Sequence, residues 1–174
     1  MKKILYFFLV VSFIFTGCKK EEGCTDASAT NYNADAEDDD GSCTYDIIGV
    51  WNATTVVVDT SLTVTINGVV DETQSGSGTM TATPDDAETP TNIEFLSNGT
   101  AYATFSYDNE IDTTTYTKSG SAITITDDEG DAMDFTYTIS KNNLTLTEEE
   151  LFQFEDSGIL YNYSFSITMN FNRE

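Results

Sequence analysis

Histidine is absent from the sequence, and this absence excludes several classes of enzyme. Histidine is the side chain that titrates near neutral pH, and it is the commonest protein ligand of transition metals. Ser-His-Asp catalysis, Cys-His catalysis and histidine-ligated zinc sites are therefore excluded. The carboxylate runs Asp127-Asp128-Glu129 and Glu148-Glu149-Glu150 are expected at hairpin ends, and neither pairs with a nucleophile or base at a recognisable spacing. We predict that the protein is not an enzyme.

Positive charge is scarce, with 7 Lys and Arg residues against 30 Asp and Glu residues and a net charge of −23. A surface of this sign repels phosphate backbones and anionic lipid headgroups, so we exclude nucleic acid as a partner. The same charge favours solubility, divalent cations and cationic partners. Two interpretations stay open, a dispersed surface adapted to a saline habitat and a specific acidic site.

The long hydrophobic run lies at the start of the chain, where Ile4 to Phe15 follows Lys2-Lys3 and leads into Phe15-Thr16-Gly17-Cys18. A cationic start, an apolar stretch and small residues before a cut are typical of a secretory signal peptide. The run is shorter than the roughly 20 residues that span a bilayer. Phe15-Thr16-Gly17-Cys18 resembles a bacterial lipobox. This resemblance implies a lipoprotein signal peptide at residues 1–17 and a lipid anchor on Cys18.

The next residues, Lys19-Lys20-Glu21-Glu22, resemble the signal that sends lipoproteins of Bacteroidota to the outer face of the outer membrane. We therefore expect a lipid-anchored protein of the outer membrane, and its exposure on the cell surface or toward the periplasm stays open. Each buried acyl methylene contributes about 0.8 kcal/mol, so three acyl chains would make the attachment effectively permanent. The membrane is thus an expected partner, reached through the N-terminal anchor.

With Cys18 used for lipidation, an even pair of cysteines remains, Cys24 and Cys43. In an exported protein such a pair is expected to form a disulfide. The segment between them contains almost no aliphatic residue, so it has no core of its own. We predict a disulfide-clipped acidic module that, with the lipidated tether, occupies residues 18–46.

Five carboxylates lie between residues 35 and 40, and their mutual repulsion opposes compaction unless a cation is bound. The segment resembles short Cys-bracketed Asp/Asn-rich modules of marine Bacteroidota, and more faintly thrombospondin type 3 calcium repeats. It departs from an EF-hand because Ala36 occupies the first position and no Glu follows at the twelfth. A calcium site and a plain acidic spacer both stay open, and the candidate calcium ligands are Asp35, Asp38, Asp39 and Asp40.

Residues 47–174 alternate between apolar and polar side chains with a period of two, which is typical of half-buried antiparallel strands. The clearest stretch runs from Tyr161 to Asn172, where every second residue is apolar. Pairs such as Asn67-Gly68 and Asn98-Gly99 predict tight hairpin turns between such segments. The pattern predicts an all-β meander of eight to ten strands.

A meander of this kind must close or stack to remove its edges, and a barrel and a sandwich are the two candidates. Gly49-Val50-Trp51 stands at the start of the first strand and Arg173 ends the last one. These residues resemble the lipocalin pattern, in which the indole packs across the closed end of the barrel against an arginine. Ile93 to Thr100 resembles a hairpin of lipocalin-like lipoproteins from Bacteroidota. The resemblance implies an antiparallel up-and-down lipocalin-like (calycin) β-barrel at residues 47–174, closed by Gly49, Trp51 and Arg173.

Lipocalin-like barrels commonly hold small apolar molecules, and this resemblance implies a binding module for a small hydrophobic ligand. The alternative is a structural or protein-interaction surface lipoprotein with a calcium-stiffened acidic stalk. An aromatic strand face is equally what a filled core requires, so a hollow and a filled barrel both stay open. The candidate cavity residues are Tyr102, Phe105, Tyr107, Phe135, Tyr137, Tyr161, Tyr163, Phe165 and Met169.

Overall fold

The computed structural model of the protein describes residues 20–85, 89–106 and 110–174. The regular structure of these residues is all β, as the alternating pattern predicts. They include no helix of the length and apolarity needed to cross a membrane. The chain divides into two compact units, the first ending at Tyr45 and the second covering Asp46–Glu174.

The first unit is held by a disulfide and by polar contacts. Cys24 and Cys43 are bonded, which confirms the predicted pair. Strands β1 (Glu22–Gly23) and β2 (Asp38–Asp39) form a short parallel pair. The Asn31 side chain spans the loop, since its amide donates to the Ser42 carbonyl at 2.7 Å and its oxygen accepts from the Thr44 amide at 2.8 Å. A segment with so few aliphatic residues thus folds around one covalent link and side-chain hydrogen bonds.

The second unit contains ten strands in its described residues. These are β3 (Gly49–Ile66), β4 (Val69–Val70), β5 (Gly76–Ala82), β6 (Asn92–Phe95), β7 (Thr100–Thr104), β8 (Ile111–Ser119), β9 (Ala122–Thr126), β10 (Ala132–Ile139), β11 (Asn143–Asp156) and β12 (Ile159–Arg173).

Eight of these strands form a closed antiparallel barrel. Each strand from β6 to β12 pairs with the next along the chain, and β3 pairs with β6 on one side and with β12 on the other. The first and last strands are therefore neighbours, as an up-and-down barrel requires. Strands β4 and β5 lie outside this ring and both pair with β3. The predicted closed barrel of eight to ten strands is confirmed.

The closed half of the barrel is filled with large side chains. Trp51, Phe95 and Leu144 have no exposed surface, and Phe171 has almost none. All of them occupy inward positions of the alternating pattern, because successive side chains of a strand point to opposite faces of the sheet. This half of the interior is therefore a packed core and leaves no space for a ligand.

Strands β3, β11 and β12 are longer than the ring needs. Beyond the ring they continue, together with β5, as an open sheet. The pairing of β10 with β11 ends at Thr147, and β11 continues to Asp156 with β12 as its partner. The later part of β3 pairs with β5 instead of β6. We call this open sheet the extension; it comprises residues 60–66, 76–82, 150–156 and 159–165.

Candidate functional site

Trp51 and Arg173 close one end of the barrel. The Trp51 indole donates a hydrogen bond to the Ile47 carbonyl at 2.6 Å. The Arg173 guanidinium lies over the indole ring, with its central carbon 4.2 Å from the ring centroid. This is the contact that the lipocalin resemblance implies, and a cation over an aromatic face is attracted by the ring quadrupole.

The same guanidinium also ties together the segments around the closed end. Its nitrogens donate to three backbone carbonyls, those of Asp46 at 2.7 Å, Ile48 at 3.0 Å and Lys141 at 3.0 Å. Gly49 leaves room for it, because a Cβ there would lie 3.1 Å from a guanidinium nitrogen, and the Gly49 φ of 128° disfavours any other residue. In the Gly-x-Trp motif, Gly49 therefore leaves room for the Arg173 guanidinium, and Trp51 provides the ring on which it lies.

A cavity of about 650 Å³ lies at the opposite end of the ring. It is open to solvent, and its volume falls within the range of about 300 to 1,000 Å³ that is usual for small-molecule sites. Two alanines help to leave this space, since Ala101 and Ala103 occupy inward positions where other strands carry larger side chains. Its apolar lining includes Ala101, Ala103, Ile125, Phe135, Ile167 and Met169.

Three of the predicted cavity residues line this cavity, namely Phe105, Phe135 and Met169. Tyr137 lies on the inward face but packs against the buried core. Tyr102 alternates with the inward Ala101 and Ala103, so it belongs to the outer face. Tyr107 lies outside the described residues.

The structure places the other predicted cavity residues, Tyr161, Tyr163 and Phe165, on the extension and not in the cavity. They do share the face of β12 that carries Met169, as the alternation predicts. Their part of β12 pairs with β3 and with the end of β11, beyond the point where β10 completes the ring. The alternation specifies a face of the strand, whereas the pairing of distant strands decides where that face encloses a cavity.

Aromatic side chains from two strands cover this face of the extension. Phe154 stacks on Tyr161 with ring centroids 4.7 Å apart and on Tyr163 at 5.9 Å. Phe152 and Phe154 remain 55% and 49% exposed, and with Tyr163 and Phe165 they border a groove of about 870 Å³. The sequence signal for this hairpin was available, because the Phe152-Gln153-Phe154 alternation precedes a Ser157-Gly158 turn with φ of 52° and 80°. Sequence reasoning missed it.

Five carboxylates border one side of the mouth of the cavity. Asp112 comes from β8, Asp127, Asp128 and Glu129 from the turn between β9 and β10, and Glu148 from β11. Contrary to the hairpin-end expectation, Glu148 lies within β11, on the same face as the buried Leu146, because that strand continues past the ring. Asp127 also closes its own turn, accepting from the backbone amides of residues 129, 130 and 131 at 3.0, 2.8 and 2.8 Å.

Glu148 is a partly buried carboxylate at this mouth. Burial raises its pKa, because removal from water disfavours the charged form, and the negative charge of Glu150 raises it further. The two residues are two positions apart on the inner face of β11, where they pair with Ile167 and Phe165 of β12. Ionised Glu148 and Glu150 therefore repel each other at the mouth of the cavity.

The few cations of the barrel unit lie at the closed end. They are Lys118, Lys141 and Arg173, and the Lys118 ammonium donates to Asp46 at 2.7 Å. Burial acts to lower the pKa of Lys118, but the hydrogen bond and charge of Asp46 outweigh it and raise that pKa. The barrel thus carries its positive charge at one end, and five carboxylates border the cavity at the other.

The predicted calcium ligands of the first unit make mainly local contacts. Asp38 forms an ion pair with Lys20 at 3.0 Å, Asp39 accepts from the Gly41 amide at 3.0 Å, and Asp40 accepts from the Ser42 amide at 2.9 Å. Across residues 20–85, 89–106 and 110–174, no three acidic or cysteine side chains form a group that could hold a metal ion. Calcium binding by Asp35 and these three residues stays a prediction. The predicted lipidation site, Cys18, lies outside the described residues.

No protein-family model, curated protein or solved structure matches this chain. The fold is an eight-stranded closed antiparallel barrel, and this architecture is compatible with a lipocalin-like fold.

Proposed function

We propose that the protein is a non-catalytic binding module that holds a small hydrophobic ligand in the open end of its barrel. The observation that carries this proposal is the division of the interior into a packed half and an open half. Large buried side chains fill the end at Trp51, while small side chains such as Ala103 leave about 650 Å³ at the other. An apolar, open cavity of this volume can cover most of a small apolar molecule.

We further propose that the module works at the cell envelope, anchored through a lipid on Cys18. The support is the leader, which ends in Phe15-Thr16-Gly17-Cys18 and is followed by Lys19-Lys20-Glu21-Glu22. Mass spectrometry of the protein from its native membrane is expected to show an acylated N-terminal Cys18. A Cys18→Ser variant found in the membrane fraction to the same extent as the wild type would contradict the anchor.

The binding proposal is tested with a neutral apolar probe, N-phenyl-1-naphthylamine, whose fluorescence rises when it leaves water. The full chain is used with Cys18→Ser, so that no acyl chain of its own competes for the cavity. Ala103→Phe fills the cavity and is expected to weaken probe binding about tenfold or more. The matched control is Thr117→Phe, which adds the same side chain at an exposed position of the neighbouring strand β8. Equal binding by both variants would refute the cavity as the ligand site.

A second candidate function is a protein contact through the extension. The specific observation is an exposed apolar strand end, since Leu151 is 82% and Phe152 55% exposed. In the described structure, residues 148–156 of β11 pair only with β12, which leaves one strand edge open to an added strand. A photocrosslinker at Leu151 is expected to capture one defined envelope protein in intact cells, whereas the same crosslinker at Thr117 is not. Identical crosslinking at both positions would count against this function.

A further inference from the structure

The open end of the barrel combines an apolar interior with a rim whose charged residues, among those that the structure describes, are all acidic. Asp112, Asp127, Asp128, Glu129 and Glu148 border the cavity, and no basic residue borders it within residues 20–85, 89–106 and 110–174. The three cations of the barrel unit, Lys118, Lys141 and Arg173, belong to the opposite, closed end, where they contact or lie beside Asp46, Ile48 and Trp51. A ligand entering the cavity therefore meets negative charge alone at the point where its polar end comes to rest.

We infer that the cavity takes an amphiphile with an apolar tail and a cationic amine head group, and that Glu148 is the residue that selects this charge. The inference rests on the proposed function, because the cavity is the binding site and the carboxylates decide which head group it accepts. The tail lies against Phe135, Ile167 and Met169 in the cavity. The head group remains at the mouth, within reach of Glu148.

Charge complementarity at the mouth favours a cationic head group, and charge repulsion there disfavours an anionic one. Low-dielectric walls lined by charge of one sign concentrate the field at the mouth of a cleft, which raises the local concentration of oppositely charged ligands. An anionic amphiphile, such as a fatty-acid carboxylate, would have to bring its charge next to several carboxylates without a compensating cation. Discrimination of this kind relies on repulsion of the wrong ligand as much as on attraction of the right one.

Glu148 is singled out by its position at the boundary between core and mouth. Leu146, two residues before it on the same face, is fully buried, whereas Glu150, two residues after it, is exposed. A carboxylate that is partly removed from water interacts more strongly with a nearby charge than an exposed one does. An ammonium group next to Glu148 would also relieve the repulsion between Glu148 and Glu150.

The test compares three probes with the same twelve-carbon tail, namely dodecylamine, dodecanol and dodecanoate, below the concentrations at which they form micelles. Each displaces N-phenyl-1-naphthylamine from the full chain carrying Cys18→Ser. Dodecylamine is expected to bind about tenfold more tightly than dodecanol, and dodecanoate about tenfold more weakly, because one partly desolvated charge pair contributes on that order. The preference is expected to shrink as salt is added.

The matched variants are Glu148→Gln and Glu149→Gln, which remove one charge each from adjacent positions of β11 on opposite faces of the sheet. Glu148→Gln is expected to weaken dodecylamine binding about fivefold and to leave dodecanol binding unchanged. Glu149→Gln should alter neither. Equal affinities for the three probes would overturn the inference while leaving the proposed function intact, and so would equal effects of the two variants. Binding of none of the probes would refute the proposed function itself.

Discussion

Removal of the Arg173 side chain is expected to destabilise the barrel far more than its place next to the C-terminal residue suggests. The guanidinium contacts the indole of Trp51 and donates to the carbonyls of Asp46, Ile48 and Lys141. These partners belong to the entry of the first barrel strand and to the turn between β10 and β11. One side chain therefore connects the beginning and the end of the barrel.

The magnitude follows from these contacts. Two of the three hydrogen bonds are exposed, so water replaces them in the variant, and we assign the three together about 2 kcal/mol. The cation over the indole adds about 1 kcal/mol, since Trp51 is fully buried. Arg173→Ala is therefore expected to lower the free energy of unfolding by about 3 kcal/mol. Arg173→Lys should lower it by about 2 kcal/mol, because an ammonium cannot reproduce the planar fork of donors.

Equilibrium unfolding in urea, followed by far-ultraviolet circular dichroism, measures these differences. Glu174→Ala is the control, because it truncates an exposed side chain one residue further along and should change stability by less than about 0.5 kcal/mol. A double-mutant cycle with Trp51→Phe is expected to return a coupling below about 1 kcal/mol, because phenylalanine keeps part of the aromatic face. If Arg173→Ala is no more destabilising than Glu174→Ala, the closed end does not depend on this contact.

Three further predictions concern charge and the disulfide. Because the pKa of Glu148 is raised in the folded protein, ionisation of this carboxyl group costs stability as the pH rises through that pKa. Glu148→Gln should therefore be more stable than the wild type at neutral pH and equal to it below pH about 4. A series of thermal melts at different pH values checks this, and equal melting temperatures at neutral pH would contradict it. The hydrogen bond from Lys118 lowers the pKa of Asp46, so Asp46→Asn should lower the free energy of unfolding by about 1 kcal/mol or less at neutral pH. This loss of stability should vanish as acid protonates the wild-type carboxylate. If the variant stays less stable than the wild type at low pH, the ion pair is not the source of the loss. Replacing Cys24 and Cys43 by serine should lower the stability of the first unit by about 3 kcal/mol. Limited proteolysis should then cut the chain between residues 24 and 43, while the barrel resists cleavage. If that segment resists the protease as well as it does in the wild type, hydrogen bonds alone are enough to hold it.

Much of the barrel could be predicted because its signals are local. The alternation along residues 161–172 identifies a strand and its apolar face from a few consecutive residues. Turn pairs such as Asn67-Gly68 work in the same way, since Asn67 and Gly68 adopt the positive φ values of 53° and 81° that their residue types favour. The disulfide was predicted because two cysteines, Cys24 and Cys43, remain once Cys18 is assigned to lipidation, and the structure contains this bond.

The candidate site was predicted only in part. Phe105, Phe135 and Met169 line the cavity, but Tyr161, Tyr163 and Phe165 lie on the extension, although all three follow the same alternation as Met169. Nothing local distinguishes the two groups. The acidic rim was also missed, because Asp112, residues 127–129 and Glu148 are far apart in the chain and meet only through strand pairing.

The sequence by itself determined the kind of strand, the face that each strand buries and the absence of histidine chemistry, whereas the closing contact of Trp51 with Arg173 was implied by the resemblance to lipocalins and is present in the structure. Only the tertiary structure decided where the ring ends along β3, β11 and β12, and therefore which apolar positions enclose a cavity and which stand on an open sheet. It also decided that the cations collect at the closed end and that five carboxylates border the mouth of the cavity. The reason is physical: the period of two is set within one strand, whereas an enclosed volume and its electric field are set by which strands are neighbours and by how long they remain paired.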